Sequence, residues 1–185
     1  MKTIKDLISK IRIKINDSSS FEFSDDELIS YIHAGITQLE MLLLSNRVKF
    51  NITMLQTQSN ICPVPDDLLE IYKVIINDNT IPLKEEYSNS FGYFILNNNI
   101  MLPENNALIY YIKEYERYGI DDEINMSASY IDYLYLYTVI KALSRLEFNM
   151  DKEEKELLQL SNMIIKTTLS KYGSYTLKRD NEFAL

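Results

Sequence analysis

The sequence predicts a mainly α-helical protein of the α+β class, in which four helices form the core and a small antiparallel β-sheet is inserted. Apolar residues recur at helical spacing before residue 48 and after residue 127, whereas the spacing between these points changes to the two-residue period of strands. All four prolines also lie in this middle part. We therefore expect one helical domain over 1–173, a β insertion at about 48–115, and a tail over 174–185.

Two amphipathic helices are predicted in the first 45 residues. The first, over 3–15, has apolar residues on one face: Ile4, Leu7, Ile8, Ile11 and Ile15. Ser24 and Glu27 have the spacing of a capping box, so the second helix is expected over about 24–45. Gly35 lies inside it, where glycine costs about 1 kcal/mol relative to alanine, and we expect another backbone to approach closely there.

The middle part predicts short antiparallel strands. Residues 48–54 alternate between apolar and polar side chains, which is typical of a strand with one buried face. A buried strand follows over 71–76, and a last strand over 108–113. Asparagine tolerates the left-handed backbone that tight turns require, so turns are predicted at two Asn-rich sites, 77–79 and 97–98.

Two further helices are predicted after residue 119. The third helix, about 127–148, is apolar nearly all round, which is typical of a central helix or one covered by a partner. Asp151 and Glu154 mark the start of the fourth helix, and Gly173 marks its end.

Composition excludes several classes of protein. The 185 residues are 46% hydrophobic, which is enough for one real core and argues against general disorder. No uninterrupted apolar stretch reaches the roughly 18–20 residues of a membrane helix, and the first residues lack the apolar core of a signal peptide. The net charge of −8 argues against a nucleic-acid-binding protein, because that affinity depends on Lys and Arg. We expect synthesis in a cytoplasm and no membrane association.

The sequence contains little that could support catalysis. His33 is the only histidine and Cys62 the only cysteine, and one of each cannot form a structural zinc site or a disulfide. A structural role for His33 is favoured over a catalytic one. The acidic run 121–123 lacks the ligand alternation and glycine of a calcium loop, so we interpret it as a solvated loop. No catalytic residue, metal site or cofactor is predicted.

Tyrosine is the one residue type in excess, with 14 copies. One end of a tyrosine side chain packs and the other forms hydrogen bonds, which suits an interface between soluble subunits. Tyr130, Tyr133 and Tyr137 of the third helix are therefore candidates for a subunit interface. The alternative is that these side chains fill the domain's own rim.

Five segments, spread over nearly the whole chain, carry a resemblance. They are Leu7-Ile8-x-x-Ile11-Arg12-x-x-Ile15-Asn16-Asp17, Ser24-Asp25-Asp26-Glu27-Leu28-x-x-Tyr31-Ile32, Pro63-x-Pro65-Asp66-Asp67-Leu68-Leu69 with Ile71 and Val74, Met101-Leu102-Pro103, and Tyr137-x-x-Ile140-Lys141-Ala142-Leu143-Ser144. In this order they resemble the head-to-tail connector (adaptor) proteins of tailed bacteriophages, which are ring proteins that dock beneath the portal.

The resemblance implies a structural protein of the virion and not an enzyme. In that family, copies of the subunit form a ring, commonly of twelve, at the head-tail interface. The ring joins the portal protein to a downstream tail or stopper protein and lets DNA pass without specific binding. It also implies a connector-like core of four helices.

Two groups of contact residues follow for this chain. The family's C-terminal segment docks on the portal or on a neighbouring subunit, and the alternation of the tail here assigns that role to Tyr175, Leu177, Phe183 and Leu185. Because a tail with few neighbours is expected to fray, its deletion should leave thermal stability nearly unchanged. The second group is a loop in contact with another subunit or the tail, formed by Tyr93, Phe94, Asn97 and Asn98.

Two alternatives stay open at this point. The first is a cytoplasmic, non-enzymatic interaction module, such as a phage assembly chaperone or a regulator. The second is a hydrolase that uses His33 or Cys62.

Overall fold

In the computed structural model, which describes residues 3–85 and 88–175, the chain divides into two compact units. Among the described residues, the first unit contains 3–48 and 115–172, and the second contains the remainder. The helices of the first unit are α1 (Ile4–Lys14), α2 (Asp25–Ser45), α3 (Ala128–Arg145) and α4 (Asp151–Tyr172). The strands of the second unit are β1 (Ile52–Thr57), β2 (Ile61–Pro63), β3 (Leu68–Ile76), β4 (Asn79–Ile81), β5 (Phe94–Leu96), β6 (Asn99–Met101) and β7 (Ala107–Lys113).

The prediction of a mainly α fold with a four-helix core is wrong. Helices account for 42% of the structure and strands for 23%, and the strands form two antiparallel sheets in place of one small sheet. The physical reason lies partly in α4, which packs mainly against α3 and buries only Glu153, Ile164 and Thr168. The middle of the chain, in turn, encloses an apolar core of its own. The fold is therefore α+β.

The first two helices begin at different kinds of cap. At α1, Thr3 Oγ1 accepts the Asp6 N–H at 3.1 Å, and Asp6 Oδ2 accepts the Thr3 N–H at 3.1 Å, so this helix has a complete capping box. At α2, Ser24 Oγ accepts the Glu27 N–H at 3.1 Å as predicted. The Glu27 carboxylate, however, accepts hydrogen bonds from Tyr31 and Arg145, so the reciprocal half of the predicted box is replaced.

Three helices end without glycine in the same left-handed motif. The residue after each C-cap has positive φ: Asn16 (60°), Arg47 (51°) and Glu147 (58°). The next N–H then donates to the carbonyl five residues back, as in the bond from Phe148 to Leu143 at 3.1 Å. Only α4 ends at the predicted glycine, Gly173, with φ 75°. Sequence rules based on glycine therefore place the fourth helix end and miss the left-handed residues of the other three.

Gly35 makes close packing of α2 and α3 possible. A Cβ atom at this position would lie 3.1 Å from Tyr137 Cδ1 and 3.2 Å from Leu134 Cδ2. The close approach predicted for Gly35 is therefore made by two side chains of α3 and not by a backbone.

In the second unit, two sheets share one core. The strand orders are β1-β7-β3-β4 and β2-β6-β5, with antiparallel pairing throughout. Side chains from both sheets form a single apolar cluster: Cys62, Ile71, Val74, Ile76, Ile81, Tyr93, Ile100, Leu102, Ala107 and Ile109. An isolated bridge between Leu83 and Tyr93 links the end of one sheet to the start of β5.

The alternation predicted for residues 48–54 is interrupted at Asn51. Val48 and Phe50 are buried, whereas Ile52 and Met54 are among the exposed apolar residues. Asn51 has φ 39°, and this left-handed residue changes the face on which the following side chains lie. Its Nδ2 donates to the carbonyls of Lys113 at 2.8 Å and Glu114 at 3.0 Å, which fixes the start of β1 beside the end of β7.

The two predicted asparagine turns are confirmed. Asn77 and Asp78 have φ of 49° and 63° between β3 and β4, and Asn97 and Asn98 have φ of 49° and 59° between β5 and β6. Two consecutive residues with positive φ form the type I′ turn, whose twist matches that of the flanking strands.

One helix within the described ranges, α2, is long and apolar enough to cross a membrane by length and composition alone. The core helix of a globular protein meets the same criterion. In α2 the buried residues recur at helical spacing, from Leu28 through Ile32, Ile36 and Leu39 to Leu43. Their apolar character is therefore explained by packing within the first unit.

Candidate functional site

His33 has a structural partner. Its Nε2 lies 2.9 Å from the carbonyl oxygen of Tyr118, so this ring nitrogen donates a hydrogen bond to the backbone. The bond ties α2 to the segment that precedes α3. The nitrogen that a catalytic base would direct at a substrate is therefore occupied by a hydrogen bond to the protein backbone.

Cys62 is a buried apolar contact and not an activated thiol. It is 5% exposed in the core of the second unit, and its Sγ lies 3.5 Å from the Pro63 carbonyl. Burial raises the pKa of the thiol, which disfavours the reactive thiolate. Over residues 3–85 and 88–175, no group of three His, Cys, Asp or Glu side chains is placed to hold a metal ion.

The acidic run 121–123 caps α1 through its backbone. The carbonyls of Ile120 and Asp122 accept the N–H groups of Lys5 at 3.1 Å and Ile4 at 3.0 Å. The Asp122 carboxylate accepts the Gly119 N–H at 2.6 Å. These bonds satisfy donors that the first turn of a helix leaves without partners, so the loop has a structural function.

A buried carboxylate that the sequence analysis missed connects α2 to the segment after β7. Glu40 is 2% exposed, and its Oε1 accepts the Tyr115 N–H at 2.7 Å. Its Oε2 accepts from Arg117 Nη2 at 3.2 Å, and the same nitrogen lies 3.1 Å from Thr37 Oγ1. Both carboxylate oxygens of Glu40 accept hydrogen bonds from the segment after β7. These bonds fix the point at which that segment crosses α2.

A second missed network holds the turn between α1 and α2. Asp17 is buried, pairs with Arg12 at 2.7 Å, and accepts N–H bonds from Phe21, Glu22 and Phe23. Burial opposes ionisation of this carboxyl, but the three backbone bonds and the Arg12 charge together lower its pKa below the ordinary value. The turn is therefore rigid at its base, although Phe21 projects from it.

The tyrosines proposed as a subunit interface are packed mainly inside the first unit. Tyr130 and Tyr133 are 8% and 6% exposed. The Tyr130 hydroxyl lies 3.3 Å from Thr168 Oγ1, and the Tyr133 ring stacks on the half-buried Tyr137 at a centroid distance of 6.3 Å. The positions of Tyr130 and Tyr133 agree with the alternative, in which the tyrosines pack within their own domain. The interface role stays a prediction.

The predicted contact loop separates into a buried base and an exposed tip. Tyr93 is 5% exposed in the core of the second unit, and Phe94 is half-buried with Lys84 Nζ 5.3 Å from its ring centroid. Asn97 and Asn98 are exposed at the turn, and Ile95 beside them is 49% exposed. Within this loop, only the turn and Ile95 present surface to a partner.

Tyr93 should contribute to the pH dependence of stability in the alkaline range, together with the other buried tyrosines. Burial, and then the charge of Glu70, raise the pKa of Tyr93 to about 12. The neutral phenol is favoured in the folded state, so its contribution is complete below the unfolded pKa of about 10 and is lost as pH rises towards 12. In urea unfolding between pH 8 and 11.5, Tyr93→Phe should lose less stability with rising pH than wild type. Tyr110→Phe, at a half-buried position of β7, is the matched control for removal of a tyrosine hydroxyl.

The predicted docking tail is described only up to Tyr175, and Leu177, Phe183 and Leu185 lie outside the described residues. Tyr175 is 5% exposed. Its hydroxyl donates to Glu70 Oε2 at 2.5 Å, and its ring meets Tyr72 edge to face at 5.7 Å between centroids. In the isolated chain Tyr175 therefore packs on β3. Its docking on a partner stays a prediction.

This position changes the expected stability of tail variants. Tyr175→Ala should destabilise the second unit by about 1–3 kcal/mol, less than for an aromatic in a chain interior because a terminal segment can detach locally. Tyr175→Phe keeps the ring and should cost no more than about 1.5 kcal/mol for the lost hydrogen bond. Thermal unfolding measures both. Equal melting temperatures for wild type and Tyr175→Ala would show that packing of Tyr175 on β3 contributes nothing to stability, and that Tyr175 is available to a partner.

A shallow groove of about 340 Å³ lies between α1 and α3. Its lining residues are Asp6, Leu7, Lys10, Ile13, Ile131, Asp132 and Tyr135. The volume is at the lower end of the range for small-molecule sites, and such sites also contain convergent polar groups. Of the charged residues that line the groove, Asp6 already caps α1.

The loops at one end of the first unit expose large apolar side chains. This end, here called the helical tip, consists of Ile13, the α1–α2 loop (16–24) and the α3–α4 loop (146–150). Arg145 lies 4.9 Å from the centroid of the Phe23 ring, and Lys14 pairs with Glu153 at 2.8 Å, which holds the two loops together. Phe21, Ile13 and Phe148 are 86%, 72% and 59% exposed.

The sequence analysis did not identify the helical tip, although one signal was present. Phe21 lies next to polar residues between two predicted helices, where periodicity arguments do not apply, whereas Phe148 was assigned to the end of the predicted third helix, which stops at Arg145 in the structure. An aromatic residue in such a loop is a candidate anchor for a partner.

Comparison with known proteins adds no assignment. Neither a protein-family model nor a curated protein sequence matches this chain.

Proposed function

We propose that this chain is a structural subunit of a tailed-phage virion, forming the ring that joins the portal to the tail and lets DNA pass. The observation that carries the proposal is the distribution of its side chains. Both units expose large apolar residues on loops, such as Phe21 and Phe148 in the first and Phe91 in the second. In the parts of the chain that the structure describes, no group of three His, Cys, Asp or Glu side chains is placed to hold a metal ion. An assembly subunit needs anchors and no chemistry.

The positions of the resembling segments support the proposal. The segment from Ser24 to Ile32 forms the cap and first turns of α2, and that from Pro63 to Leu69 leads into β3. The segment Met101-Leu102-Pro103 ends β6, and that from Tyr137 to Ser144 lies on α3 against Gly35. Segments at element boundaries and packing contacts determine the path of a chain.

The net charge is compatible with a channel for DNA. Twelve copies at −8 each would give a ring a formal charge of −96. Carboxylates facing a lumen repel phosphates over about a Debye length, near 8 Å at physiological salt, so DNA would pass without adhering. The isolated chain should accordingly show no saturable binding to a labelled duplex in fluorescence anisotropy at physiological salt.

The proposal is tested by assembly with the portal. The chain is co-expressed with a portal protein from the same phage, and the purified material is imaged by electron microscopy. We expect a ring of this chain, with the symmetry of the portal, on one face of the portal. A chain that remains monomeric or dimeric beside an intact portal ring would reject the connector function and favour the assembly chaperone or regulator.

A further inference from the structure

We infer that the helical tip is a docking surface for a basic protein segment that inserts apolar side chains between Phe21 and Phe148. The inference deepens the proposed function and rests on it, because it specifies the chemistry of an assembly partner. It follows from the exposure of the tip, its rigidity and its charge.

The apolar part of the tip is large and held in place. Phe21, Ile13 and Phe148 all expose more than half of their side-chain surface. Phe21 extends from the turn that Asp17 fixes with three backbone hydrogen bonds, and Phe148 follows the left-handed residue that ends α3. Rigid aromatic side chains lose little conformational entropy on binding, which makes them effective anchors.

The charge of the tip selects the partner. The tip as defined contains no Lys or Arg, and the cations that flank it are paired: Arg12 with Asp17 and Asp25, Lys14 with Glu153, and Arg145 with Glu27. Lys152 is the exception, with a single weak pair at 3.9 Å.

The carboxylates are in excess around the same apolar side chains. The side chains of Glu22, Asp26 and Glu147 are exposed, and within the described ranges none of these three carboxylates accepts a hydrogen bond or forms an ion pair. The potential at the tip is therefore negative. A segment with Lys or Arg beside its apolar residues complements this surface, and an acidic segment is repelled. The same charge disfavours DNA and anionic lipid as occupants.

The partner segment is replaced by defined probes in the first experiment. Fluorescein-labelled amphipathic peptides of leucine with lysine, or of leucine with glutamate, are titrated with the full chain, and anisotropy is recorded. We expect saturable binding of the lysine peptide at micromolar concentration, weakened by salt, and none of the glutamate peptide. The double variant Phe21→Ser, Phe148→Ser should lose at least about tenfold in affinity. The double variant Glu22→Lys, Glu147→Lys should bind the lysine peptide more weakly than wild type does and should bind the glutamate peptide more tightly.

A matched control distinguishes binding at the helical tip from nonspecific binding to exposed apolar residues. Phe91→Ser removes a phenylalanine of comparable exposure, 54%, from the second unit and should leave peptide binding unchanged. Circular dichroism confirms folding of each variant. Equal binding by the double variant and wild type, or no binding of the lysine peptide at all, would overturn the inference. So would self-association of wild type that the double variant abolishes, because a second copy would then cover the tip.

Co-purification with the portal distinguishes this inference from the proposed function. If wild type binds the portal and the double variant does too, the connector function stands and the tip is not the docking surface. If wild type does not bind the portal, the connector function fails, while the peptide titration still decides the chemistry of the tip.

Discussion

Replacing Gly35 with valine is expected to destabilise the first unit by about 2–3 kcal/mol, the upper part of the usual range of about 1–3 kcal/mol for overpacking. A Cβ at this position would lie 3.1 Å from Tyr137 and 3.2 Å from Leu134, and the two additional methyl groups of valine have no space between α2 and α3. For a protein of this size, the loss corresponds to a fall in melting temperature of about 4–12 °C.

Ala34→Val provides the control for Gly35→Val. Ala34 is the preceding residue of α2 and is exposed, so the substitution adds a β-branched side chain without a packing conflict. It should cost only the difference in helix propensity, about 0.5 kcal/mol. If both variants melt at the same temperature, the contact between α2 and α3 is looser than the distances indicate.

Replacing Glu40 with alanine is expected to cost about 2–3 kcal/mol. The substitution removes the acceptor of the Tyr115 N–H bond and the partner of Arg117. Most of the cost is assigned to the backbone bond. The Arg117 side chain is 34% exposed, so water screens its charge and lowers the contribution of the ion pair.

Glu40→Gln tests this division of the cost. Glutamine retains a carbonyl oxygen for the Tyr115 N–H and gives up the negative charge that pairs with Arg117. It should lose less than half of what alanine loses in chemical denaturation. If the glutamine variant is as unstable as the alanine variant, the ion pair with Arg117, and not the hydrogen bond from the Tyr115 N–H, accounts for the stabilising effect of Glu40.

Local patterns predicted the elements well, but not the fold class. Helical periodicity identified α1 to α4, and left-handed asparagines identified both hairpin turns, because these features depend on residues close in sequence. The pairing of β2 with β6 depends on residues 61–63 and 99–101, whose association no local pattern encodes. The second sheet was missed for that reason, and with it the second core.

The candidate site was less predictable than the fold. The excess of tyrosine left two interpretations open, a subunit interface or packing within the domain. The Tyr130 and Tyr133 rings are buried, and the Tyr130 hydroxyl lies within hydrogen-bond distance of the buried Thr168. Glu40 and Asp17 lie on helices or turns with many other acidic residues, and sequence alone gives no sign of which are buried. The exposed Phe21 follows a run of serines, where only the three-dimensional position distinguishes an anchor from a core residue.

Asn51 has a consequence for how the protein folds. The first unit is interrupted in sequence by residues 49–114, and bringing its two halves together requires closing a long loop, a conformational entropy cost that grows with loop length. The side-chain bonds of Asn51 to Lys113 and Glu114 join the two ends of that loop. Once the β unit has folded, the polypeptide enters and leaves it at neighbouring points. The helices can then dock as though the intervening residues were a short connection, and insertions within the β unit would slow their docking very little.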